Sequence, residues 1–220
     1  MGNERYIEPA KNRDDKRIVY AKQMKRLEQA FKHEFYLEAV MIDYAIMEDR
    51  LRAWLYHIGA LNLREDSTCK AKPTKNYLRS IVAHYKKMEI EKTKLTIQDI
   101  SAKADVIRAT LLWASTVEVL SENDKYLLML KERYESAIDI GVALELLDNI
   151  NTWCKKRNEV VHGLMNKNIF DYEEKIKGIA EEGYLLARSI DNCEKQLKSG
   201  CKIRKQLKMS AEKQNTKNQQ

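Results

Sequence analysis

Trp153-Cys154-Lys155-Lys156-Arg157-Asn158-Glu159-Val160-Val161-His162-Gly163-Leu164 is the stretch on which the reading of this chain turns. Leu147, Ile150, Trp153, Cys154, Val161 and Leu164 recur at helical spacing and define one apolar face, and Arg157 projects from the middle of it. An arginine in an apolar seam is costly unless something meets it, so a specific partner or ligand is expected there. Arginine forks onto phosphate oxygens, and histidine exchanges protons near neutral pH. Together with the Asn158 amide they form a kit for breaking a phosphodiester without a metal.

The spacing alone does not decide the matter, because Arg-x4-His occurs three times, as Arg52/His57, Arg79/His84 and Arg157/His162, with looser pairs at Arg26/His33 and Arg50/His57. Helical phase separates them. Arg52 flanks the stripe of its helix and His57 points away from it, as a solvated pair would. Arg79 and His84 sit at the edges of the Leu78, Ile81, Val82, Tyr85, Met88 stripe. Only Arg157 points inward. The simplest partner is Glu48, which falls near the centre of the stripe of the second helix among Met41, Tyr44, Leu51 and Leu55, whereas Asp43, Asp49 and Arg50 lie off it as solvated charges. His162 lies ~140° round from Arg157 on an unbroken helix. Either the helix breaks within Lys155–Asn158, with Asn158 capping a new helix, or a second copy of the chain completes the site.

Working outward, the 220 residues contain only 7 Gly and 2 Pro, which favours a nearly all-helical chain long enough for one well-buried domain. Helices are expected near 14–30, 34–59 (stopped by Gly59), 76–89, 97–119, 122–139, 142–156, 159–166 and 169–200, with a loop over 61–75. Residues 1–13 and the Lys/Gln/Asn-rich 208–220 have too little to bury and are expected to be disordered, flanking a single helical domain over 14–207. No apolar run approaches the ~18 residues of a membrane span, no secretion or myristoylation signal opens the chain, and a cytoplasmic protein without membrane partner is expected. Cys69, Cys154, Cys193 and Cys201 have neither zinc nor disulfide spacing and read as reduced thiols. Of the net charge of +7, residues 194–220 hold eight Lys or Arg against two Glu, so the body is nearly neutral. That argues against a broad phosphate-tracking surface.

Arg157-Asn158-Glu159-Val160-Val161-His162, just before the last long helix of an all-helical chain, resembles the signature of the HEPN superfamily: Arg, a polar residue that is often Asn, three to five residues, then His. The resemblance is specific over about Leu144–Leu186, including the Gly163-Leu164 that comes after the histidine, and looser over the Tyr44–Leu51 helix with Glu48. It implies an all-α bundle of HEPN type with extra helices inserted between the second helix and the motif helix. It also implies a metal-independent RNA endonuclease of toxin–antitoxin, abortive-infection or other antiviral defence systems, acting as a homodimer with a composite site and no cofactor. Arg157 would bind the scissile phosphate, His162 would act as general acid or base, Asn158 would position one of them, and Lys155 and Lys156 would hold RNA. An antitoxin or defence-system protein is an implied partner. The chain departs from the subgroup paired with nucleotidyltransferase antitoxins, in which Tyr often stands two residues after the histidine; here that position is Leu164. Two other readings stand beside this one. A non-catalytic helical module would bind RNA or protein with the motif as structural glue. A metal-dependent hydrolase is disfavoured, because no Glu-x-x-His or carboxylate cluster faces one point.

Overall fold

A computed structural model describes residues 13–61, 72–93, 95, 97–118, 120–121, 124–163 and 169–203. Among them lie seven helices: α1 (Arg13–Lys32), α2 (Tyr36–His57), α3 (Lys72–Lys86), α4 (Ile100–Thr116), α5 (Lys125–Ala137), α6 (Ile140–Gly163) and α7 (Ile169–Lys198). The all-α expectation holds, and three helices lie between α2 and α6. Of the disorder expected for 1–13 and 208–220 only Arg13 is described, and it opens α1; of the loop expected over 61–75 the described part beyond Leu61, 72–75, instead forms the first turn of α3.

Local sequence accounts for several of the helix ends. Asp99 caps α4 by accepting from the Ala102 amide at 2.7 Å. Gly59, at φ 81°, stops α2 as its left-handed residue, and the Ala60 amide behind it returns to the Leu55 carbonyl at 2.8 Å.

Helix–helix contacts close a ring, α2 on α7, α7 on α6, α6 on α4 and α4 on α2, with α1 against α2, α3 against α4, and α5 bridging α4 and α7. α2 is therefore covered from three sides. Its buried residues, Ala39, Val40, Ile42, Asp43, Ile46, Met47, Leu51, Trp54 and Leu55, span far more than one stripe. Trp54 donates to the Tyr134 hydroxyl at 3.3 Å, and that hydroxyl meets Thr110 at 2.8 Å, so these three polar groups of the core satisfy one another.

Trp153 of α6 is fully buried and donates to the Ile179 carbonyl of α7 at 2.7 Å. Gly183 lies one turn further along α7, where a Cβ would come within 2.8 Å of the indole Cζ2 and 3.0 Å of Asp43 Oδ2. Glycine is needed here for close approach. Gly183→Ala is expected to cost about 1–3 kcal/mol by overpacking, read as a lowered midpoint in urea. An unchanged midpoint would mean that α7 does not approach Trp153 this closely.

Two helices expected at 142–156 and 159–166 are one. α6 runs without interruption through Lys155–Asn158, because Lys and Arg are good helix formers, Asn costs little, and no Gly or Pro occurs between Gly141 and Gly163. Val160, fully buried, carries the apolar face across the polar stretch, while Lys156 pairs with Glu182 and Glu159 with Lys175 of α7.

Candidate functional site

Arg157 is half-buried on the face of α6 that meets α2. Its guanidinium carbon lies 4.6 Å from the centre of the Tyr44 ring. One terminal nitrogen donates to Asn158 Oδ1 at 3.0 Å, and the other approaches Met41 Sδ at 3.2 Å. Nε is buried without a hydrogen-bond partner among the described residues. Among the described residues no carboxylate pairs with Arg157, so its charge is held in place but not neutralised. Nearby, burial pushes the Cys154 thiol up to about 11 against the opposing pull of Arg157, so Cys154 stays a protonated thiol. Burial likewise raises the Tyr44 phenol, with Glu48 adding to the rise.

The expected Glu48–Arg157 pair is not present. Glu48 accepts from the Lys103 ammonium of α4 at 3.0 Å, and Lys103, whose side chain is 3% exposed, also reaches the Gln98 carbonyl at 3.0 Å. A buried lysine has the greater need of a carboxylate, and α4 brings it to the same flank of α2. Glu48 thus supports packing rather than the arginine.

Asn158 and His162 are exposed. His162 stands in the last turn of a continuous helix, five residues beyond Arg157, so within one chain the two side chains diverge by ~140°. The helix break that would bring the two together within one chain is absent. Lys155 is exposed and free to meet a ligand, whereas Lys156 is held by Glu182 at 2.8 and 3.0 Å.

A second Arg–His constellation converges where none was expected. Arg50, His57, Asp191 and Glu194 gather between α2 and α7. His57 Nε2 lies 2.9 Å from Glu194 Oε1, and Arg50 lies 3.3 Å from Glu194 and 3.4 Å from Asp191 while stacking on Tyr20 at 4.4 Å. Arg50 and His57, read as solvated, are in fact mostly buried, because seven residues return a helix to the same face and that face meets α7. Burial pushes the Glu194 carboxyl up, but the His57 hydrogen bond and the Arg50 charge outweigh it and hold it below the usual range. Arg50 also meets Asp49 at 3.2 Å. With three carboxylates around it, Arg50 has no charge to spare for a phosphate, and the cluster reads as a clasp between helices. His84 is exposed, as expected.

The largest departure concerns Asp43. Read as solvated, it is fully buried, and neither carboxylate oxygen has a hydrogen-bond partner among the described residues. Burial pushes it up to about 8. The helical wheel placed Asp43 off one stripe of α2, but α2 is buried on several sides and that direction faces Gly183 and Trp153.

Among the described residues, no group of three or more His, Cys, Asp or Glu side chains is placed to hold a metal ion, and no helix is long and apolar enough to cross a membrane. Cys154, Cys193 and Cys201 are free thiols. Comparison with protein-family models, with curated proteins and with solved structures returns no match.

Proposed function

We propose that the protein is a metal-independent RNA endonuclease of HEPN type, acting in the cytoplasm as a toxin or an antiviral or abortive-infection component. The observation that carries this reading is Arg157: a cation fixed by an aromatic face, a thioether and an amide, with no carboxylate among the described residues to neutralise it. Such a group suits a phosphodiester, whose charge grows on the non-bridging oxygens as the pentacoordinate state forms. In the reaction an RNA 2′-oxygen attacks phosphorus and gives its proton to a base, the bond to the 5′-oxygen breaks, and that oxygen takes up a proton. His162, exposed and five residues from Arg157, supplies the proton-transfer group, and a homodimer brings an arginine from one chain to a histidine from the other. Asn158 orients the guanidinium, and Lys155 is the better placed of the two lysines to steer RNA. A defence-system or antitoxin protein that covers this surface would silence it.

The second reading, a non-catalytic module binding RNA or protein, is favoured by the divergence of Arg157 and His162 within one chain. One assay separates the two. Purified protein is expected to cleave single-stranded RNA in EDTA and to leave a 2′,3′-cyclic phosphate and a 5′-hydroxyl. DNA of the same sequence, which lacks the 2′-hydroxyl, is expected to remain intact. Absence of RNA cleavage at any protein concentration that populates the dimer would favour the binding module.

A further inference from the structure

We propose that Tyr44, assisted by Met41, is a positioning residue that holds the Arg157 guanidinium ready for an anion without neutralising it. The inference rests on the reading of Arg157 as the phosphate-binding cation and extends it to α2, on which no site residue other than Glu48 was expected.

The chain contains its own comparison. Two arginines stack on tyrosine rings at similar distance, Arg50 on Tyr20 at 4.4 Å and Arg157 on Tyr44 at 4.6 Å. Arg50 is also surrounded by Asp49, Asp191 and Glu194, so its positive charge is consumed within the fold. Around Arg157 the corresponding places are taken by Met41 Sδ at 3.2 Å and the neutral Asn158 amide at 3.0 Å. A π-face and a thioether attract a cation through quadrupole and polarisability and carry no net charge. They restrict the rotamers of a long, flexible side chain while leaving its full charge for a ligand. A carboxylate in the same place would fix the arginine equally well and repel the phosphate. The Nε of both arginines is buried without a hydrogen bond among the described residues, but that of Arg50 faces Asp191 at 3.4 Å, whereas no carboxylate among them pairs with Arg157.

The geometry also says which change matters. The ring face does the holding, since among the described residues the Tyr44 hydroxyl makes no hydrogen bond that would explain the contact. Tyr44→Phe therefore keeps the cradle and Tyr44→Leu removes it.

The test uses the full chain and two readouts. The first is independent of activity: the Nε–H resonance of Arg157, assigned by its loss in Arg157→Lys. It is expected to exchange with water more slowly than that of the exposed Arg17, to shift in Tyr44→Leu as the ring current is lost, and to stay in place in Tyr44→Phe. The exchange comparison needs no variant at Tyr44 and so stands even if Tyr44→Leu does not fold. The second readout is RNA cleavage, in which Tyr44→Leu is expected to lower kcat about 10- to 100-fold with a smaller change in KM, and Tyr44→Phe to recover most of that loss. Exchange as fast as at Arg17, an unmoved resonance in Tyr44→Leu, or equal kcat in the Leu and Phe variants would overturn the cradle. A wild-type protein that shows the resonance behaviour but cleaves no RNA would sustain the cradle and overturn the nuclease reading.

Discussion

Arg157→Ala and His162→Ala are each expected to lower the proposed RNA cleavage by about 10²–10⁴-fold, the range for loss of a charge-stabilising donor or a proton-transfer group, and mixing the two inactive variants is expected to restore activity. The restoration is a consequence of α6. Because Ile140–Gly163 is one helix, Arg157 and His162 of one chain point ~140° apart and do not share a phosphate. In a two-fold dimer the shared site takes its arginine from one protomer and its histidine from the other. A mixed dimer of the two variants then keeps one working pair, the arginine of the His162→Ala chain with the histidine of the Arg157→Ala chain. Random exchange makes half of the dimers mixed, so recovery is expected at roughly a quarter to a half of wild-type activity. Both variants should retain wild-type helicity by circular dichroism, since His162 is exposed and Arg157 makes no ion pair among the described residues. Two inactive variants that stay inactive after co-refolding would remove the composite site; full activity in either variant alone would remove the residue from the mechanism.

The same helix shows what a sequence can and cannot convey about such a site. The inward direction of Arg157 is legible because the phase of Leu147, Ile150 and Trp153 fixes it within one helix. The continuity of α6 is less so: Asn158 reads as a cap in isolation, and what keeps the helix going is the burial of Val160 with the ties of Lys156 and Glu159 to α7. Glu48 has a different partner from the expected one for a related reason. A helical wheel gives a direction, not the neighbour in that direction, and Lys103 on α4, from a region without motifs, competes for the carboxylate. The misreading of Asp43, Arg50 and His57 has one cause. Periodicity divides a helix into one apolar and one polar face, but α2 is enclosed by α1, α4 and α7, so its second face is also interior and carries its charges inward. The sequence does hold a signal for the α2–α7 clasp in Asp191 and Glu194, an i, i+3 acidic pair on the last helix opposite Arg50 and His57 at i, i+7. Tyr44 is visible only as one more member of a stripe, and its role depends on where α6 crosses.

Asp43 gives the largest expected dependence of stability on pH. The carboxyl lies against Gly183 and Trp153; among the described residues both oxygens are unpartnered and no charge on α6 or α7 offsets the burial, which pushes it up to about 8 from an ordinary 3.8. The folded chain therefore keeps this proton to about pH 8, whereas the unfolded chain gives it up near pH 4. Between those limits the native state binds more protons than the unfolded state, so stability falls as pH rises. The contribution is complete below about pH 4, is lost progressively up to about pH 8, and is flat above it; the whole span is on the order of 5 kcal/mol. Asp43→Asn keeps the shape and removes the titration. It is expected to raise stability at pH 7 by about 1–3 kcal/mol, less than the full linkage because the amide is itself left without partners. It is also expected to flatten the slope of unfolding free energy against pH between about 5 and 8, measured by urea titration at several pH values. The slope is the deciding quantity, because a change in packing would move all pH values together. A variant with the wild-type slope would show that Asp43 is ionised in the folded chain, and that α2 and α7 admit water or a cation beside Gly183.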